Sequence, residues 1–125
     1  MIITDKEVLQ ILKKLNVYEV EESLMSYPED ERDGRSDVEM LLNEAEYFLE
    51  LYSDDGSAHY DDLKDARRLL RETEQGKRIP IDIYNGFKPK QGYYPSDIER
   101  AKRIVDEYNR LKRLVNKLYK LKAAK

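Results

Sequence analysis

The chain has 125 residues, no cysteine, one histidine and no apolar run near the roughly 20 residues that a bilayer-spanning helix needs. Those counts exclude a disulfide framework and a thiolate metal site, fit a reducing cytoplasm, and predict one domain long enough to bury a core. A charged fraction of 39% with only 5 Gly and 4 Pro points to exposed helix faces rather than disorder, and the net charge of -3 conceals a strong imbalance between the two ends.

The chain opens on Met1-Ile2-Ile3-Thr4-Asp5, without the basic and apolar stretches of a signal peptide, so no leader is expected. Thr4 and Glu7 have capping-box spacing, and Val8, Ile11, Leu12 and Leu15 share a helical face, which predicts a helix from about Asp5 to Leu15 ended by Asn16. Val17, Val20 and Leu24 suggest a short second helix, which Tyr27-Pro28 blocks because the residue before proline avoids helical geometry. Pro28 to Arg35 reads as a solvated acidic connector. Ser36 and Glu39 form another capping box before a helix of about Asp37 to Tyr52, with Glu39, Glu44, Glu46 and Glu50 on its outer face.

Ser53 to Ser57 has the composition of a turn. It does not make a calcium loop: in EF-hand register the first ligand position falls on Leu51 and the twelfth on Asp62 rather than Glu. Ser57 caps a helix of about Ala58 to Gln75, which Gly76 stops, and the short turn predicts an antiparallel helical hairpin with the preceding helix. His59, at the start of that helix's apolar face, reads as a structural, hydrogen-bonded side chain. The connector, 76–95, is less regular. Ile79, Ile81 and Ile83 alternate like a strand and Asn85-Gly86 suits a tight turn, so a small β-hairpin is one expectation. An extended crossover held by the isoleucines is the other, since Pro80 and Pro89 restrict strand pairing.

Pro95 to Glu99 signals the last helix, with Ser96 and Glu99 spaced as a capping box. Ala101, Ile104, Tyr108, Leu111, Val115 and Leu118 then form a heptad seam, widened by Val105, Leu114 and Leu121. At roughly 40 Å this helix exceeds a small domain. It is either an ordinary member of one bundle or a rod with an end that projects or pairs with a second chain. The expected fold is a single all-α domain of four or five helices. It comprises an acidic helical part (1–75), the connector (76–95) and a long basic helix (96–125).

Charge follows that division: Met1 to Leu63 carries 5 Lys/Arg against 18 Asp/Glu, while Arg100 to Lys125 carries 10 against 2. Three uses of this polarity stand side by side. Arg100, Arg103, Arg110, Lys112, Arg113 and Lys117 on the last helix, helped by Lys and aromatic residues of the connector, would neutralise phosphates and stack on bases. Alternatively, the basic helix packs across the acidic ones and some fourteen charges pair inside the domain. Or the acidic half docks on a basic protein, steered by charge and anchored by tyrosine, which supplies 10 of the 12 aromatic residues. For that last use the candidate contacts are Glu29, Asp30, Glu31, Asp54 and Asp55, with Tyr84, Phe87, Lys88, Lys90, Tyr93 and Tyr94 from the connector.

No nucleophile–base pair or Gly-rich phosphate loop is visible, and no enzyme activity, cofactor or metal is expected. Of the densest carboxylate group, Asp54, Asp55, Asp61 and Asp62, the last two fall in the first turn of a helix, where acids are favoured anyway. Leu51 to Pro80 (LYSDDGSAHYDDLKDARRLLRETEQGKRIP), followed by a capped basic helix, resembles small helical proteins of bacterial prophages and mobile elements, among them anti-CRISPR-like inhibitors. The resemblance implies a small inhibitor of host machinery, and the acidic balance of Met1 to Leu63 in a chain without catalytic groups adds the expectation that it is non-enzymatic and occludes a basic surface on a nucleic-acid-processing partner. It assigns no residues. Nucleic-acid binding by the last helix and homodimerisation through the seam are the alternative expectations.

Overall fold

In the computed structural model, which describes residues 2–26, 34–82 and 84–124, the helix Pro95–Ala124 is the spine on which everything else is laid. In chain order the elements are α1 (Lys6–Leu15), α2 (Tyr18–Met25), α3 (Asp37–Leu51), α4 (Ala58–Glu74), β1 (Ile79–Pro80), β2 (Gly92–Tyr93) and α5 (Pro95–Ala124). The fold is all-α apart from that two-residue strand pair.

Four helix ends are closed by the residues whose chemistry suits them. Asn16 ends α1 in the left-handed conformation (φ 52°, ψ 52°). Ser36 caps α3 by accepting from Glu39 N, Ser57 caps α4 by accepting from His59 N, and Gly76 (φ +72°) follows the end of α4. Two caps differ from the sequence expectation. Asp5, not Thr4, caps α1, accepting from Glu7 N and Val8 N, because Thr4 N and Asp5 N are held instead by Asp37 Oδ2 at 2.9 and 2.6 Å. At α5 the helix starts one residue early, on Pro95, so Ser96 lies inside the first turn and Asp97 accepts from Tyr94 N at 2.9 Å. Pro at the first helical position needs no amide partner, which moves the cap upstream.

Helices α3 and α4 do not form the expected antiparallel hairpin. They barely touch each other, and both pack on α5 instead. Asp62 of α4 lies by Arg100, Tyr52 at the end of α3 stacks on Tyr108 at 5.1 Å, and Glu46 of α3 meets Tyr119. The two helices therefore run in tandem along one spine: α4 covers its first half, α3 its second. The physical reason is area. A 30-residue stripe offers each partner more apolar surface than they offer each other. It also answers where the seam goes. Ala101, Leu111, Leu114, Val115 and Leu118 are buried and Ile104, Tyr108 and Leu121 pack on the core, so the heptad seam is spent inside the domain rather than left for a second chain.

The core is concentrated on the second half of α5. There α1 contributes Val8 and Leu12, α2 Val20 and Leu24, and α3 Leu41, Leu42 and Ala45. Ile2 and Ile3 are also buried, an anchor absent from the sequence reading. Ser23 Oγ donates to Glu44 at 2.8 Å, and His59 Nε2 meets Glu19 Oε1 at 2.5 Å, tying α2 to α3 and α4.

Candidate functional site

Among the described residues the charge poles do not interlock: a single ion pair, Arg100 Nη2 to Asp62 Oδ1 at 4.0 Å, joins the first 63 residues to α5. The internal neutralisation expected as one reading of the sequence is therefore absent there. The seam that turns α5 toward its neighbours is apolar, and the lysines and arginines at the intervening positions, Arg110 excepted, are exposed.

The acidic side has a shaped feature. Glu46, Glu50 and Asp54 follow one another at four-residue steps along α3 and the turn after it, so their carboxylates form one lip. Beneath the lip, Leu49, Val115 and the ring of Tyr119 make an apolar floor, and the shallow, open groove measures about 590 Å³. The Tyr119 hydroxyl donates to Glu46, which holds the ring as a wall although Tyr119 is half exposed. A second cleft of about 400 Å³ on the same face shares Glu46 and Glu50 and adds the exposed ring of Tyr47. None of the three lip carboxylates has a cationic partner among the described residues. Glu46 and Glu50, one turn apart on α3, repel each other by a few tenths of a kcal/mol.

Of the sequence candidates, Asp54 forms part of this lip and Asp55 is exposed beside it. Asp54 also closes its own turn, accepting from Gly56 N at 3.2 Å. Glu29, Asp30 and Glu31 lie outside the described residues. Sequence reading placed Glu46 and Glu50 on an outer face but missed the groove. The signal was available in the four-residue spacing of the acids; the floor was not, because Val115 and Tyr119 come from 60 and more residues away.

The connector carries the remaining candidates. The expected hairpin is reduced to one antiparallel bridge, Asp82 with Phe87, inside a loop closed by a parallel pair: Ile79 opposite Gly92 and Pro80 opposite Tyr93. Ile79 N donates to Gln91 O and Ile81 N to Tyr93 O, which leaves Pro80, without an amide hydrogen, between the two bonds. Asp82 organises the tip: its carboxylate accepts from Tyr84 N, Asn85 N and Asn85 Nδ2. Those bonds, the backbone and side-chain donors of Asn85 first, hold its carboxyl below the usual range. Gly86 takes the left-handed turn at φ +69°. Gly92 is required by close approach, since a Cβ there would lie 2.6 Å from Ile81 Cγ1. The lasso so formed presents Tyr84, wholly exposed, and Phe87, 52% exposed, with Lys88 and Lys90 beside them. Tyr93 is half buried in β2 and Tyr94 sits at the foot of α5. Among the described residues Lys88 and Lys90 make no ion pair, whereas Arg78 is taken by Glu72 at 2.7 Å.

The six basic candidates of α5 do not form one patch. Arg103, Arg113 and Lys117 share the outward face with Lys102. Arg110 is turned inward, donating to Asn16 O at 2.9 Å and pairing with Asp106 at 2.8 Å, so it closes α1. Lys112 lies over the Tyr108 ring at 5.1 Å on the flank, and Arg100 faces Asp62.

One further cleft, about 290 Å³, lies where α2, α4 and α5 meet, with His59 and Glu19 on its wall and Glu22, Asp62 and Glu107 around it. Tyr52 stands edge-on to His59 at 5.2 Å and its hydroxyl is pushed up to about 12, by burial first and then by Glu19, Glu107 and Asp62. The pair bridges helices and presents no nucleophile. Among the described residues no three His, Asp or Glu side chains converge as a metal would need, the Asp54, Asp55, Asp61 and Asp62 group included. No described helix is long and apolar enough to cross a membrane. Compared with protein-family models, curated proteins and solved structures, the chain matches none.

Proposed function

We propose that this chain is a non-enzymatic protein-binding module whose α3 face receives a basic segment of a partner. The observation that carries the reading is the row of Glu46, Glu50 and Asp54 over the apolar floor of Leu49, Val115 and Tyr119, without a cationic partner among the described residues. Such a groove suits a segment with apolar groups flanked by Lys or Arg, because floor and lip are satisfied together. The fitting partner is a basic, nucleic-acid-processing protein in the cytoplasm, whose nucleic-acid surface the module would occlude. An inhibitor encoded by a phage or mobile element, of the anti-CRISPR kind, is the specific form of this proposal, and its support is the resemblance carried by Leu51 to Pro80.

The test is quantitative interaction mass spectrometry from a bacterial lysate. Wild type is compared with the triple variant Glu46→Lys, Glu50→Lys, Asp54→Lys and with a control, Arg113→Glu, Lys117→Glu. A basic partner captured by wild type and control but lost from the triple variant is the expected result, and that partner's affinity for nucleic acid should fall when the module is added. A partner set identical across all three proteins sinks the reading.

A second reading has its own observation: the outward row of Lys102, Arg103, Arg113 and Lys117 on α5, which suits a polyanion. It requires nucleic-acid binding whose logarithm falls with log salt at a slope of about -3 to -4 for four contacts. Mobility-shift titrations at two salt concentrations decide it.

A further inference from the structure

Two features of the molecule are left unfilled by the rest of the described chain: the groove between α3 and α5, and the lasso between β1 and β2. We propose that they complete each other between two copies, the lasso of one molecule seating in the α3–α5 groove of the next. This rests on reading the groove as a docking site for a cation-bearing apolar segment, and it names the regulation of that site.

The chemistry of the two surfaces matches term by term. The groove offers an apolar floor and three carboxylates. The lasso offers two exposed rings, Tyr84 and Phe87, next to Lys88 and Lys90, which have no ion pair among the described residues. Its own acid, Asp82, is already spent on three donors within the turn. The loop is closed by backbone pairing at Ile79–Gly92 and Asp82–Phe87, so little conformational freedom is lost on docking.

Geometry makes the contact intermolecular. The lasso joins the first turn of α5, while the floor of the groove is Val115 and Tyr119, some 20 residues further along the same helix. At 1.5 Å per residue the separation is about 30 Å, so no molecule fills its own groove. The surfaces that meet are different, so two copies either join reciprocally, each lasso in the other's groove, or add head-to-tail into chains and rings. A docked copy occupies the surface offered to a partner, so assembly and partner binding exclude one another.

Sedimentation of the full chain tests this with two surface variants: a lasso-blind protein, Tyr84→Ser with Phe87→Ser, and a groove-blind protein, Glu50→Lys with Asp54→Lys. All four positions are exposed, and circular dichroism checks the fold. Wild type should rise in mass with concentration to twice the chain mass or more. Each variant alone should associate at least about tenfold more weakly. An equimolar mixture of the two should give a complex of twice the chain mass and nothing larger, because it contains one intact lasso and one intact groove. Wild type that stays at one chain mass, a mixture that forms no complex, or association untouched by either variant each overturns the proposal. A synthetic amphipathic Leu/Lys peptide separates this from the underlying reading. Peptide binding that is lost in the groove-blind variant, with wild type remaining monomeric, leaves the docking groove standing and removes the self-association. Absence of both peptide binding and assembly removes both.

Discussion

The two halves of α5 live in different environments. Its second half buries Leu111, Leu114, Val115 and Leu118 in one cluster with residues of α1, α2 and α3, whereas its first half buries only Ala101, beside Ala66 of α4. One end of the molecule is thus a four-helix core, and the other is a two-helix layer with a lasso at its tip. The difference shows that one continuous helix can serve as both anchor and arm. Apolar burial at the core end, at about 25 cal/mol per Å², sets global stability. The far end borrows its order from the spine.

The strongest way to break the comparison is to empty the core end. Leu114→Ala or Leu118→Ala, both at 0% exposure, should lower the unfolding free energy by about 3–4 kcal/mol. Leu69→Ala on the half-exposed flank of α4 should cost about 1 kcal/mol or less. Urea denaturation measures both. Equal losses would mean that stability is spread evenly along α5. Native-state amide exchange should likewise be slower from Leu111 to Leu118 than anywhere in α4.

Alkali should loosen the junction between the two ends. Tyr52 sits there against His59 and Tyr108, and its folded-state value of about 12 lies above the ordinary 10. The unfolded chain therefore ionises first. The stability tied to the neutral phenol is complete below pH 10 and is lost as pH rises through 12, amounting to about 3 kcal/mol at most. Tyr52→Phe should flatten the fall in stability between pH 10 and pH 12. An unchanged pH profile would place the phenol in water.

Removing the clamp at the other end of the core should cost less. Asp37 Oδ2 accepts from Thr4 N and Asp5 N, so one carboxylate near the start of α3 holds the chain entering α1. Asp37→Ala should destabilise by about 1–2 kcal/mol and free Ile2 and Ile3, seen as accelerated proteolysis ahead of Lys6.

Most of the fold was legible because it follows local rules. The heptad seam, the Ser36 and Ser57 caps, Asn16 and Gly76 each express a preference within a few residues of chain. The tandem arrangement of α3 and α4 was not, because the Ser53–Ser57 turn has the composition of a hairpin and only the length of α5 decides against one. The caps at Thr4 and Ser96 misled for a similar reason: Asp37 and Pro95 outcompete them, one from 32 and more residues away. At the candidate site, Asp54 and the connector aromatics could be read from exposure-prone composition. The groove needed two helices, and the pairing of β1 with β2 needed a parallel contact that Asn85-Gly86 argues against.

The smallest expected effect belongs to the lasso, and it discriminates most finely between the two ends. No residue from 77 to 94 is buried among those described, so the loop is held by its own hydrogen bonds and not by the core. Asp82→Ala removes the acceptor for Tyr84 N and Asn85 N, and Gly92→Ala places a methyl group against Ile81 and Pro89. If the lasso is an autonomous tip, both variants should speed amide exchange at Tyr84, Asn85 and Phe87 while leaving the melting temperature within about 2 °C of wild type. A larger drop would mean that the tip supports α4 and α5. Its rings would then be part of the scaffold, and their exposure would lose its meaning as a binding feature.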